Sequence, residues 1–113
     1  MREITVLEGM LLDEYYRSER NLKVNIREIR RLNARGVLTK ESINGVRYIC
    51  IRWRDGLKKK TKYIREDDAY EIEQKYKLKR RWEENVRTLK HDMKILRKAL
   101  GRSLIREYRG RFK

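Results

Sequence analysis

The chain has 113 residues, with 32 lysines and arginines against 17 aspartates and glutamates, for a formal net charge of +15. One Cys, one His and no Pro exclude a disulfide framework, a zinc ribbon and most His-based metal sites or catalytic triads. The length fits one domain, no run of about 18 apolar residues offers a membrane span, and Met1-Arg2-Glu3-Ile4 lacks a signal-peptide pattern, which together place the chain in a reducing cytoplasm.

Charged residues make up 43% of the chain, a value met in disordered proteins. Apolar spacing argues for a fold. Over residues 4–33, Ile4, Leu7, Leu11, Tyr15, Leu22, Ile26, Ile29 and Leu32 form a helical stripe interrupted at Ser18 and Asn25. Thr5 followed by Glu8 fits a capping box, and Gly36 fits a C-terminal stop. The period then drops to two. Residues 37–43 form a short strand, Asn44-Gly45 a hairpin turn, and residues 46–54 a strand rich in β-branched and aromatic residues. Asp55-Gly56 is a second turn and residues 57–64 a third strand. Its loop length is open by one residue, and a one-residue slip exchanges the faces of the third strand. Which lysines accompany Tyr48 therefore stays open.

A second helix follows over residues 67–100, with Asp67 and Asp68 as candidate N-caps. Its stripe is Ile72, Tyr76, Trp82, Val86, Leu89, Met93, Leu96 and Leu100, and from Trp82 onward the steps are those of a heptad seam. Acid-before-base pairs such as Asp13/Arg17, Glu19/Lys23 and Glu73/Lys77 mark solvated outer faces. The expected fold class is α+β: long helix, three-stranded antiparallel β-meander, long helix, folded as an antiparallel helical hairpin with the meander at one end. Residues 1–101 form one domain, and residues 102–113 a basic tail with one short helical turn around Leu104–Tyr108.

The charge is uneven. Segments 1–36 and 66–101 each carry +2, residues 37–65 carry +7 and residues 102–113 carry +4. The meander and tail thus hold most of it. Lys58, Lys59, Lys60 and Lys62 crowd one strand near Arg47, Arg52 and Arg54, with Tyr48, Trp53 and Tyr63 interleaved and Arg80 and Arg81 further on. Like charges across a ladder repel, and aromatics among cations suit a surface that stacks bases and pairs phosphates. Edge-strand lysines also guard against edge-to-edge aggregation, and Ile49, Ile51 and Trp53 share a face as candidates for a core. Cys50 reads as a buried thiol, and adjacent His91 and Asp92 point about 100° apart on a helix, so they share no site. Asp67, Asp68 and Glu71 suit a helix N-terminus better than a magnesium site. No Gly-rich phosphate motif is present. The reading is therefore a protein without catalytic residues, metal or cofactor.

The stretch Tyr48-Ile-Cys-Ile-Arg-Trp-Arg-Asp-Gly-Leu-Lys-Lys-Lys-Thr-Lys-Tyr-Ile64 resembles a segment of small basic bacterial and mobile-element proteins. In those, a Tyr-rich strand leads to a Lys-rich strand between helices. Similar hairpins open some transposases and integrases, so the resemblance implies association with DNA. Cys50 and Trp53 stand where further tyrosines would be expected, and no recombinase catalytic residues accompany the segment. The expected function is binding of nucleic acid, DNA or RNA, by the meander and the basic tail, with Arg47, Tyr48, Arg52, Trp53, Arg54, Lys58, Lys59, Lys60, Lys62 and Tyr63 of the meander and Arg80 and Arg81 of the second helix as the candidate contacts. The alternative is a phage or mobile-element interaction module. There the Trp82–Leu100 seam pairs with a second copy or a protein partner, and the basic meander docks an acidic or ribonucleoprotein surface. No membrane role is expected, because neither helix joins a wide apolar face to a uniformly basic one.

Overall fold

A computed structural model describes residues 3–111; of Gly110 and Arg111 only the backbone is described. Met1, Arg2, Phe112 and Lys113 lie outside the described residues, and with them the N-terminal pair of the signal-peptide argument and the last cation of the expected tail. The order is α1 (Val6–Leu32), β1 (Val37–Ile43), β2 (Val46–Asp55), β3 (Lys58–Ile64), α2 (Glu66–Leu100) and α3 (Arg102–Arg111). This is the expected mixed α+β architecture around a three-stranded antiparallel sheet of order β1-β2-β3. The chain divides into two compact units: one takes the segments up to Arg27 and from Glu83 onward, the other Glu28–Trp82. No helix among the described residues is long and apolar enough to cross a membrane.

In the first unit, α1 begins at the predicted capping box. Glu8 N–H donates to Thr5 Oγ1 at 3.1 Å, and Thr5 N–H donates to Glu8 Oε1 at 3.2 Å. Leu12 and Tyr15 of α1, Met93 and Leu100 of α2, and Leu104 and Ile105 of α3 form one buried cluster. The Asn85 amide donates to Asn25 Oδ1 at 3.3 Å, while the cluster joins the start of α1 to the end of α2. The two helices therefore run antiparallel here, as a helical hairpin. The α1 stripe is shifted from the expected one. Leu12, outside the predicted pattern, is fully buried, Leu7 is exposed, and Ser18 lies on the buried face it was expected to interrupt. Much of the Trp82–Leu100 seam closes within the chain, since Met93 and Leu100 are in this cluster and Leu96 packs against it.

The largest difference from expectation is at the C-terminal end. Residues 102–111 are a helix, with Leu104 and Ile105 at 3% and 8% exposure, so this segment is part of the first unit and not a tail. Leu104, Ile105 and Tyr108 fall on one side of a helix. The surrounding arginines conceal that stripe in a charge count.

In the second unit, Asn44 and Gly45 both take positive φ, 52° and 79°, as a type I′ hairpin turn requires. The second turn sits one residue later than expected. Asp55 pairs with Lys58, so the two turn residues are Gly56, with φ 65°, and Leu57, a glycine-first pattern that suits type II′. Two helix ends also differ. The stop after α1 is Asn33, with φ 50°, a residue that tolerates the left-handed region. Gly36 serves the sheet instead, because a Cβ there would collide with the backbone of Arg52. At the start of α2, Asp67 and Asp68 lie within the first turn and Asp68 N–H bonds to the Arg65 carbonyl. They act on the helix dipole and not as caps. Gly101, with φ 82°, ends α2 as expected, its N–H donating to the Arg97 carbonyl at 2.9 Å.

Candidate functional site

The register decides which side chains share a face, because cross-strand partners point the same way. Cys50 pairs with Thr39 and with Tyr63, Arg52 with Val37 and Thr61, and Arg54 with Lys59. Alternation along β2 adds Val46 and Tyr48 to this face. The other face carries Arg47, Ile49, Ile51, Trp53 and Asp55 from β2, with Lys58, Lys60, Lys62 and Ile64 from β3. The predicted residues thus divide: Tyr48, Arg52, Arg54, Lys59 and Tyr63 lie together, while Arg47, Trp53, Lys58, Lys60 and Lys62 lie opposite. Arg80 and Arg81 are exposed on α2.

The two faces differ in cover. On the Trp53 face, Ile49, Ile51, Trp53 and Ile64 are all half-buried, and Lys40 of the same face reaches Glu73 of α2 at 3.8 Å. Tyr76 and Lys79 of α2 donate to the carbonyl oxygens of Arg35 and Gly36, at 2.6 and 2.8 Å. Burial raises the Tyr76 phenol above its ordinary value, opposed by the nearby Arg35 guanidinium. Trp53 is not a free stacking ring. The Arg35 guanidinium sits 5.2 Å from its centroid, and its Nε1 is buried without a hydrogen-bond partner among the described residues. Lys60 is paired with Asp55 at 3.0 Å.

The Tyr48 face is open. Tyr48 and Tyr63 are 40% and 53% exposed, with ring centroids 6.1 Å apart and planes at 78°. Between them and the far end of the sheet lies Cys50, fully buried, its Sγ 3.0 Å from Thr39 Oγ1. Arg52 is paired with Glu41. Arg54 and Lys59 stand directly opposite one another, and neither has an ion pair among the described residues. A cation pair in this position repels and destabilises the ladder by about 0.2–1 kcal/mol. The shallow groove beside the tyrosines is also lined by Arg47 and Arg65. Arg65 was missed in the sequence because it falls at the strand-to-helix junction, where neither periodicity applies.

Among the described residues, no group of three or more His, Cys, Asp or Glu comes together as a metal site. His91 and Asp92 are both exposed on α2. Among the cations of α3, Arg109 is paired with Glu19 at 2.6 Å. No protein-family model, curated protein or solved structure matches the chain.

Proposed function

We propose that this protein binds nucleic acid through the open face of its sheet and catalyses no reaction. The observation that carries this reading is the Arg54–Lys59 pair: two cations directly opposite each other, without an acidic partner among the described residues, on the same face as two exposed tyrosines. A polyanion relieves that repulsion, and each phosphate bound releases condensed counterions. Aromatic rings on the same face as the cations add contacts that simple inorganic anions do not use.

The test is a salt titration of binding to labelled DNA and RNA. The logarithm of the association constant should fall with the logarithm of salt concentration, by about 0.9 per duplex phosphate contacted or about 0.7 per single-strand phosphate. An affinity that stays flat as salt rises overturns the reading.

A second reading, association with a protein, is favoured by a different feature. Val6, Leu7 and Met10 of α1 are 82%, 66% and 64% exposed and adjacent on a helix surface. Light scattering distinguishes its self-association form: a strict monomer at high concentration removes the homodimer.

A further inference from the structure

We infer that the nucleic acid taken by this face is single-stranded, with bases set against the Tyr48–Tyr63 pair and phosphates on Arg54 and Lys59; this rests on the nucleic-acid reading above. Three features of the face carry it.

The first is the aromatic pair. In a duplex, each base has its flat faces covered by its neighbours, and its edges are read by forked polar side chains in the grooves. Exposed rings find no partner there unless base steps are forced apart. An unpaired strand offers the flat face of a base, and stacking on tyrosine uses it. The edge-to-face geometry of Tyr48 and Tyr63 leaves ring faces that the other tyrosine does not cover.

The second is the pattern of charge. The face is not a uniform cationic rail, the form that suits a duplex backbone. Arg54 and Lys59 mark one end, Arg52 beside them is neutralised by Glu41, and the tyrosines follow with Arg65 lining the groove at their side. Cation, aromatic and cation in succession match a chain that presents phosphates and bare bases along the same path.

The third is length. Tyr48 and Arg54 are six residues apart on β2, which at about 3.4 Å per residue spans about 20 Å. That accommodates a short extended strand of several nucleotides, bound without a deep cleft.

The experiment is fluorescence anisotropy on the full chain at one low salt concentration, with three labelled probes: oligothymidine, oligouridine and a mixed-sequence DNA duplex. Either single strand should bind about tenfold or more tighter than the duplex, and the tighter of the two names the sugar. Tyr48→Ala and Tyr63→Ala should each weaken single-strand binding by about 5- to 100-fold, from the stacking on one base. Duplex binding should be unchanged, and Tyr48→Phe and Tyr63→Phe should retain the single-strand affinity. Lys59→Glu should weaken binding to every probe. Circular dichroism of each variant excludes misfolding as the cause. The inference is overturned if the duplex binds as tightly as the single strands, or if folded alanine variants hold oligothymidine as well as the parent; nucleic-acid binding itself then stands. Failure of all three probes to bind overturns the underlying reading as well.

Discussion

Two regions of this molecule contain the same ingredients, a pair of tyrosines and an arginine on one surface, and use them in opposite ways. In the first unit, Tyr16 and Tyr108 stack with centroids 5.5 Å apart, and Arg109 lies over Tyr16 at 5.5 Å. Carboxylates complete the set: Tyr108 donates to Asp13 at 2.6 Å, Arg109 pairs with Glu19 at 2.6 Å, and the Tyr16 hydroxyl donates to the Ile105 carbonyl at 2.6 Å. The hydrogen bond to Asp13 raises the Tyr108 phenol above its ordinary value, and the nearby Glu19 does the same for Arg109. In the second unit, Tyr48 and Tyr63 have solvent over them and Arg54 faces a lysine. One constellation is closed on itself and the other is open. Composition alone does not separate an internal latch from a binding surface; the presence of acidic partners within reach does.

The largest effect that tests this contrast is in the latch. Leu104 is 3% exposed within the buried cluster, so Leu104→Ala should destabilise the chain by about 2–5 kcal/mol in urea unfolding. A change near zero would mean that α3 is peripheral and that its arginines are free for other partners. The next effect is in the meander. Gly36 has φ 74°, and a Cβ there would meet the Arg52 carbonyl group and, at 2.9 Å, Trp53 Cβ. Neither neighbour is the movable end of a side chain. Gly36→Ala should therefore cost about 1–3 kcal/mol and weaken nucleic-acid binding by disturbing the spacing around Arg52. An alanine variant with parental stability would show that this approach is not fixed.

How much of this was legible beforehand follows the same division. Strand β1, the Asn44-Gly45 turn and the Thr5–Glu8 cap are local, and residue type alone specified them. The partition of the cations between two faces was not, because it depends on whether the second turn is Asp55-Gly56 or Gly56-Leu57, a difference of one residue that local propensity does not resolve. Trp53 looked like a stacking residue because its neighbours are basic; Arg35, distant in sequence, occupies its ring. The docking of α3 was hidden for a related reason. Its apolar side has only Leu104, Ile105 and Tyr108, and the acids that hold it, Asp13 and Glu19, lie some ninety residues earlier. Asp13 had a plausible local partner in Arg17, just as Glu73 had in Lys77. Tertiary partners took both carboxylates.

A smaller effect distinguishes the covered face of the sheet from the open one. Tyr76 donates to the Arg35 carbonyl at 2.6 Å, and burial raises its phenol above the ordinary 10.0. A group whose folded value is raised prefers its proton in the folded state. Its contribution is therefore complete below the unfolded value and is lost as pH rises through the folded one. Thermal unfolding midpoints should accordingly fall above about pH 10. Tyr76→Phe should lower stability by about 0.5–1.5 kcal/mol at neutral pH through the lost hydrogen bond and should reduce the alkaline loss. An unchanged alkaline slope in Tyr76→Phe would assign that loss to other groups.

The smallest change in stability is the most telling, because binding and stability should move in opposite directions. Lys59 faces Arg54 across the ladder without a carboxylate among the described residues. Lys59→Glu replaces a repulsive cross-strand pair with an attractive one, which should stabilise the chain by about 0.2–1 kcal/mol. The same substitution removes a phosphate contact and places a negative charge beside Arg54, so affinity for nucleic acid should fall about tenfold at 0.1 M salt and the salt slope should become shallower by about one contact. A surface shaped only for solubility would gain stability and lose nothing. A surface shaped by folding alone would not hold these two cations together. Measured on the same sample, a rise in unfolding midpoint with a fall in affinity identifies Arg54–Lys59 as a repulsion retained for a ligand. A fall in both places the pair in the structure of the sheet instead.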